Sequence, residues 1–147
     1  LVAANETLKN NLKKWLNSYR MINDTVDILD ATVFNYAINF EVREDTGVNK
    51  FELLEACVDR IKDKFLNVQP QIGEALYITD IYKILNAVPG VNDTITVEFV
   101  PKTGGLYNSF RYDIDSNLSD DGRYLKVPQN MVAEVLFPDD DISGVIK

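Results

Sequence analysis

Apolar and polar residues alternate more regularly between Thr32 and Arg43 than anywhere else in the chain. Phe34, Tyr36, Ile38, Phe40 and Val42 point one way, and Asn35, Ala37, Asn39, Glu41 and Arg43 the other. This pattern predicts a strand with one covered and one wetted face. Burying the five apolar side chains contributes on the order of 10 kcal/mol gross, most of it offset by ordering entropy. A slip of one residue in register would put all five in water. The strand therefore anchors any fold this chain adopts.

Helical periods flank it. Leu8, Leu12, Trp15, Leu16 and Tyr19 recur on one side of a helix expected from about Glu6 to Tyr19, with Lys9, Asn10, Lys13 and Lys14 on the other. After a turn at Asp45–Gly47, Asn49 and Glu52 have the spacing of a capping box. The second helix then carries Phe51, Leu54, Val58, Ile61 and Phe65 as its apolar stripe, widened by Leu53 and Cys57. Pro70 forbids helical continuation through the loop Asn67–Gly73. A short third helix follows, with Thr79 as its expected N-cap and Ile81, Ile84, Leu85 and Val88 on one face. Pro89 disfavours helix at Val88, and Gly90 suits the positive φ of a type II turn. Ile95, Val97 and Phe99 then alternate with Thr94, Thr96 and Glu98 as a second half-buried strand.

The remainder reads as β structure. A loop at Pro101–Gly105 leads to an expected strand in which Phe110, Tyr112 and Ile114 alternate with polar residues. Asp121–Gly122 is a turn before Tyr124–Val127, and Met131–Phe137 is apolar almost throughout, as in a strand covered on both faces. Asp139–Asp141 ends it. The expected fold is α+β: a mainly antiparallel or mixed sheet of about five to six strands, two to three helices on one face, and a β-rich end. Residues 1–100 form the α+β domain and 101–147 a C-terminal β extension of the same domain. Were the long strand and Ile95–Val100 parallel neighbours, their connection would be right-handed.

The order and spacing of these elements resemble a known family. The segment LKKWLNSYRMI (Leu12–Ile22), the short expected strand VDILD (Val26–Asp30), the long strand TVFNYAINFEV (Thr32–Val42), the second helix leading to PQIGEAL (Pro70–Leu76), and the helix–V-P-G-V–strand unit within Ile72–Phe99 follow one another. Together they are similar to the C-terminal region of phage baseplate wedge proteins, the baseplate J-like family and the T-even-like wedge subunits. RYLKVPQNMVAEVLFPDDDISGVI is similar to the closing segment of the T-even-like branch. The resemblance implies a structural virion protein of a contractile tail, placed in the baseplate and assembled in the host cytoplasm. It also implies self-association into a dimer or ring and contacts with neighbouring wedge subunits.

Charge and chemistry narrow the alternatives. The 147 residues carry a net charge of −8, with 9 Lys/Arg against 11 Asp/Glu in residues 1–70 and 6 against 12 in residues 71–147. Such a surface repels nucleic-acid phosphates and an anionic membrane leaflet, so neither is an expected partner. Histidine is absent, which removes Ser-His-Asp and Cys-His catalysis and the commonest zinc sets. Gly104 and Gly105 lack the spacing and lysine of a phosphate loop. Cys57, the only cysteine, sits in an apolar helical stripe and reads as a small core residue.

Carboxylates are what remains. Asp113, Asp115 and Asn117 occupy positions one, three and five of a calcium loop, but Leu118 stands where glycine belongs and Tyr124 where glutamate belongs. A calcium-dependent binding module using these three residues stays open as an alternative, as does a subunit of a related contractile injection system. A small hydrolase would need two acids meeting in a cleft. The expected function is structural, with no enzyme activity, cofactor or metal. Its interface residues are Trp15 and Tyr19 on the first helix and Met131, Val135 and Phe137 on the late apolar run.

Overall fold

A computed structural model describes residues 1–19 and 25–147. In chain order the elements are α1 (Glu6–Asn17), β1 (Thr32–Glu44), α2 (Lys50–Asn67), β2 (Leu76–Tyr77), α3 (Ile78–Asn86) and β3 (Val91–Lys102). They continue with α4 (Ile114–Asn117), β4 (Tyr124–Leu125), β5 (Met131–Glu134), α5 (Pro138–Asp141) and β6 (Ile142–Ile146). The fold is α+β, as its patterning predicts. Its six strands divide into a four-stranded mixed sheet and a separate two-stranded ribbon of β2 and β4.

β1 is the centre of the sheet. β3 lies antiparallel along one edge, with Ile38 opposite Phe99 and Phe40 opposite Val97. The other edge is shared by two parallel strands in succession: β5 covers Thr32–Asn35 and β6 covers Ile38–Val42. The single turn of α5 carries the chain outward between them. Because β1 and β3 are antiparallel, the parallel-neighbour case with its handed crossover does not arise. The register breaks twice, leaving Ile95 and Asn92 without partners, so β3 bulges and Thr94 turns inward. Its hydroxyl donates to Asn86 Oδ1 at 2.7 Å, which satisfies the buried group.

The five alternating side chains of β1 are all buried, and they face Leu53, Cys57 and Ile61 of α2 and Ile81 and Leu85 of α3. The stripe of α2 is rotated from the expected one: Leu53, Cys57 and Ile61 form its buried centre, and Phe51 is 85% exposed. Asn49 caps α2, its side chain accepting from Phe51 N at 3.0 Å. At Val88–Val91 the expected turn forms, with Gly90 at φ 97° and Val91 N donating to Val88 O at 3.2 Å. Thr79, however, lies inside the first turn of α3 rather than capping it. The cap position is Tyr77, with no side-chain bond, and Ile78 N instead donates to Arg123 O at 2.9 Å. The β2–β4 ribbon thus serves a helix end that a hydroxyl was expected to serve.

Two expected strands are absent. Val26–Asp30 forms no strand; Asp27 and Asp30 instead pair with Lys13 and Lys9 of α1. Phe110–Ile114 also finds no strand partner, since β3 holds one edge of β1 and β5 and β6 hold the other. The segment buries Tyr112 and Ile114 without a ladder and leaves Phe110 exposed. Tyr112 stacks on Phe34 at 4.4 Å between ring centroids, and its hydroxyl donates to Lys126 O. On the opposite face of β1, Asn108 donates to Asn35 Oδ1 from its backbone N at 2.7 Å and its side chain at 3.0 Å. Asn35 and Ala37, expected to be wetted, are therefore buried. Residues 101–147 contribute β5 and β6 to the same sheet as β1, and Ile142–Ile146 is a strand beyond the expected end at Asp139–Asp141.

Candidate functional site

α1 is a helix without a core. Asn5 caps it, its side-chain oxygen accepting from Leu8 N at 2.8 Å, and its period is amphipathic as the sequence predicts. None of its residues is buried, and among the described residues no other element packs extensively along it. Leu8, Leu12 and Trp15 are exposed, and Tyr19 just beyond lies against Trp15 with ring centroids 5.1 Å apart. What ties α1 to the rest is ionic: Lys9 Nζ to Asp30 at 2.8 Å and Lys13 Nζ to Asp27 at 3.3 Å. Exposed pairs of this kind contribute about 0–1 kcal/mol each. In the Leu12–Ile22 segment, Arg20, Met21 and Ile22 lie outside the described residues.

The late apolar run sits differently. Met131 and Val135 are half-buried against this chain's own core, and Phe137 meets Tyr107 edge to face at 5.4 Å. Val132 and Ala133 are buried on successive positions, so β5 is covered on both faces within one chain. Trp15 and Tyr19 are thus brought together, while Met131, Val135 and Phe137 belong to a separate region.

That region includes a feature the sequence did not disclose. A cleft of about 370 Å³ opens between the end of α2, the start of α3 and β5. Tyr36, Phe65, Ile81, Phe99 and Val135 supply apolar surface, and Lys64, Glu74, Asp80, Glu134 and the Leu1 ammonium paired with Glu134 line it with charge. Lys64 Nζ pairs with Asp80 at 3.2 Å. Tyr36 is 1% exposed and, among the described residues, its hydroxyl has no hydrogen-bond partner. Burial pushes its pKa up, with the Glu74 carboxylate adding to the effect, so it stays neutral and able both to donate and to accept. The one sequence signal was a hydroxyl placed among Phe34, Ile38 and Phe40 on an otherwise apolar face.

The carboxylates do different work from the one the calcium pattern suggests. Asp113 caps α4, accepting from Ser116 N at 3.2 Å and Ser116 Oγ at 2.8 Å, and its carbonyl accepts from Asn117 Nδ2 at 2.6 Å. Those bonds from Ser116 hold its carboxyl below the usual range. Asp115 makes no comparable bond, and among the described residues no group of three His, Cys, Asp or Glu gathers as a metal set. Of Asp139–Asp141, Asp139 and Asp140 are exposed but Asp141 is 2% exposed and accepts from Tyr107 Oη at 2.7 Å. No helix among the described residues is long and apolar enough to cross a membrane.

Buried and bonded acids set an alkaline limit on stability. Burial pushes the Cys57 thiol from 9 up to about 11. The bond to Asp141 is the main cause that raises the Tyr107 hydroxyl from 10 to about 12. In both cases the unfolded chain loses its proton first as pH rises, so the native state holds more protons and stability falls with pH. The urea midpoint should therefore hold below pH 9 and decline from there towards pH 12. Cys57→Ala should postpone the decline to about pH 10, where Tyr107 begins to contribute. A midpoint that stays level across this window would contradict both assignments.

No known protein-family model matches the chain, and no curated protein matches it.

Proposed function

We propose that this chain is a structural subunit of a contractile phage tail, a baseplate wedge component that self-associates and holds neighbouring wedge subunits. One observation carries the self-association: α1 and the turn after it present Leu8, Leu12, Trp15 and Tyr19 exposed, with no described element packed extensively along them. Isolated helices of this length are marginal in water and depend on packing of the apolar face. A partner that covers the stripe supplies that packing. The wedge assignment rests further on the order of helix, long strand, helix, short helix and V-P-G-V turn, which is similar to the baseplate J-like family.

The reading gives the chain no catalytic step, cofactor or metal. It places the chain in the tail baseplate, joined to other copies as a dimer or ring and assembled in the host cytoplasm. A subunit of a related injection system would use the same contacts, and the neighbouring genes separate the two.

Light scattering across a concentration series tests the contact. The wild-type mass should rise with concentration, and Trp15→Ala should weaken association roughly 30-fold, as removal of a buried aromatic anchor at about 2 kcal/mol does. Equal association constants for the two proteins would refute the role of α1. Leu29→Ala serves as a control, being an exposed apolar residue outside the stripe.

A further inference from the structure

Resting on the self-association proposed above, we infer that the Tyr36 cleft is the socket for Trp15 of a second copy, so that copies join head to tail. The cleft and the helix are complementary in size, hydrogen bonding and charge. At about 370 Å³ the cleft falls within the roughly 300–1,000 Å³ of pockets that enclose a drug-sized group. Its lining from Phe65, Ile81, Phe99 and Val135 suits an indole ring. Trp15 is 59% exposed and does not line the cleft of its own chain, where Lys9 and Lys13 tie α1 to Asp30 and Asp27.

The hydroxyl of Tyr36 is the second observation. It lies on the wall of the cleft, neutral and with no hydrogen bond to a described residue, so a polar group that enters can bond it. The indole N–H is a donor only, and a phenol oxygen accepts it. Charge then favours this helix over any other surface of the chain. Around the cleft Lys64 pairs with Asp80 and the Leu1 ammonium with Glu134, which leaves Glu74 as the acid without a cationic partner among the described residues. Lys13 and Lys14 flank Trp15, and residues 7–17 hold no acid, in a chain whose net charge is −8. Elsewhere, two copies of so acidic a chain repel. Exchanging the exposed Lys13–Asp27 pair for a contact across the interface costs little.

Knob and socket lie on different elements of each copy, and the head-to-tail arrangement is heterologous: it builds a closed ring or an open chain, whereas reciprocal exchange of Trp15 would close a two-fold dimer.

Trp15 is the only tryptophan, so its emission reports the socket directly. Wild-type emission should shift to the blue as mass rises with concentration. Ala75→Phe fills the cleft from a half-buried position on its wall, and Trp15→Ala removes the knob. Each variant alone should stop growth while keeping its far-ultraviolet circular dichroism. Mixed together they should form a one-to-one heterodimer and nothing larger, because one supplies an intact cleft and the other an intact Trp15, and the blue shift should return. Tyr36→Phe should weaken association roughly 5-fold through loss of the single bond. If Trp15→Ala stops assembly but Ala75→Phe does not, or if the mixture stays monomeric, the cleft is not the socket although self-association stands. A wild type that is monomeric at every concentration overturns both.

Discussion

Gly144→Val should lower the stability of the folded chain by about 3 kcal/mol, the upper range for overpacking a core. Gly144 has ordinary backbone angles, and space rather than conformation is its reason for being glycine. In the β1–β6 ladder it lies opposite Phe40, whose ring folds across it. A Cβ built there meets Phe40 Cε2 at 2.2 Å and Cζ at 2.3 Å, far inside van der Waals contact. The ring is 2% exposed and has core side chains around it, so relief comes by shifting β6 away from β1. In a domain of this size the melting temperature should fall by roughly 6–12 °C. Thermal unfolding followed by circular dichroism measures it. Phe40→Leu combined with Gly144→Ala should cost less than the two single changes added together, because the smaller side chain removes the clash. An unchanged melting temperature in Gly144→Val would show that the ring yields freely.

Phe34→Ala should cost about 3–5 kcal/mol, while Phe51→Ala should stay within about 0.5 kcal/mol of the wild type. Both phenylalanines occupy positions that periodicity assigns to the core. Phe34 is 0% exposed and stacked on Tyr112 with an interplanar angle of 25°, so truncation leaves a cavity and strips the support from Tyr112. Phe51 is 85% exposed at the start of α2. Urea unfolding of both variants measures the difference, and comparable losses would contradict the rotation of α2 described above. Since domains of this kind are stable by only about 5–15 kcal/mol, the Phe34 change removes about a fifth of the total or more.

The contrast between those two residues shows how far pattern reading reaches. Alternation along β1 identifies which side chains are buried because a strand has only two faces. A helix is less restrictive: the stripe of α2 spans Phe51, Leu53, Leu54, Cys57, Val58, Ile61 and Phe65, and period alone does not say which edge meets the sheet. Alternation misleads at Phe110–Ile114, where Tyr112 and Ile114 are indeed buried but the backbone has no free edge to join. Ile142–Ile146 gives the opposite lesson. Its five residues include a glycine and a serine and carry little strand signal, yet β1 has an unpaired edge beyond β5 and the segment fills it.

Little of the candidate site was legible. The Trp15 stripe follows from helical spacing, but that no described element covers it is a tertiary fact. The cleft gathers Tyr36, Phe65, Ile81, Phe99 and Val135 from five segments far apart in the chain, and no local pattern marks such a set.

What the sequence determines by itself is local: the covered face of β1, the cap at Asn49, the type II turn at Gly90, and the exclusion of histidine chemistry. These depend on neighbours a few residues apart, whose steric and hydrogen-bonding preferences act at short range. The tertiary structure alone decided that β5 and β6 run parallel to β1, that Asn108 buries Asn35, that Arg123 rather than Thr79 serves the start of α3, and that no described element covers the apolar stripe of α1. Each of these is a competition among distant segments for one edge, one face or one donor, and its outcome depends on the whole packed chain.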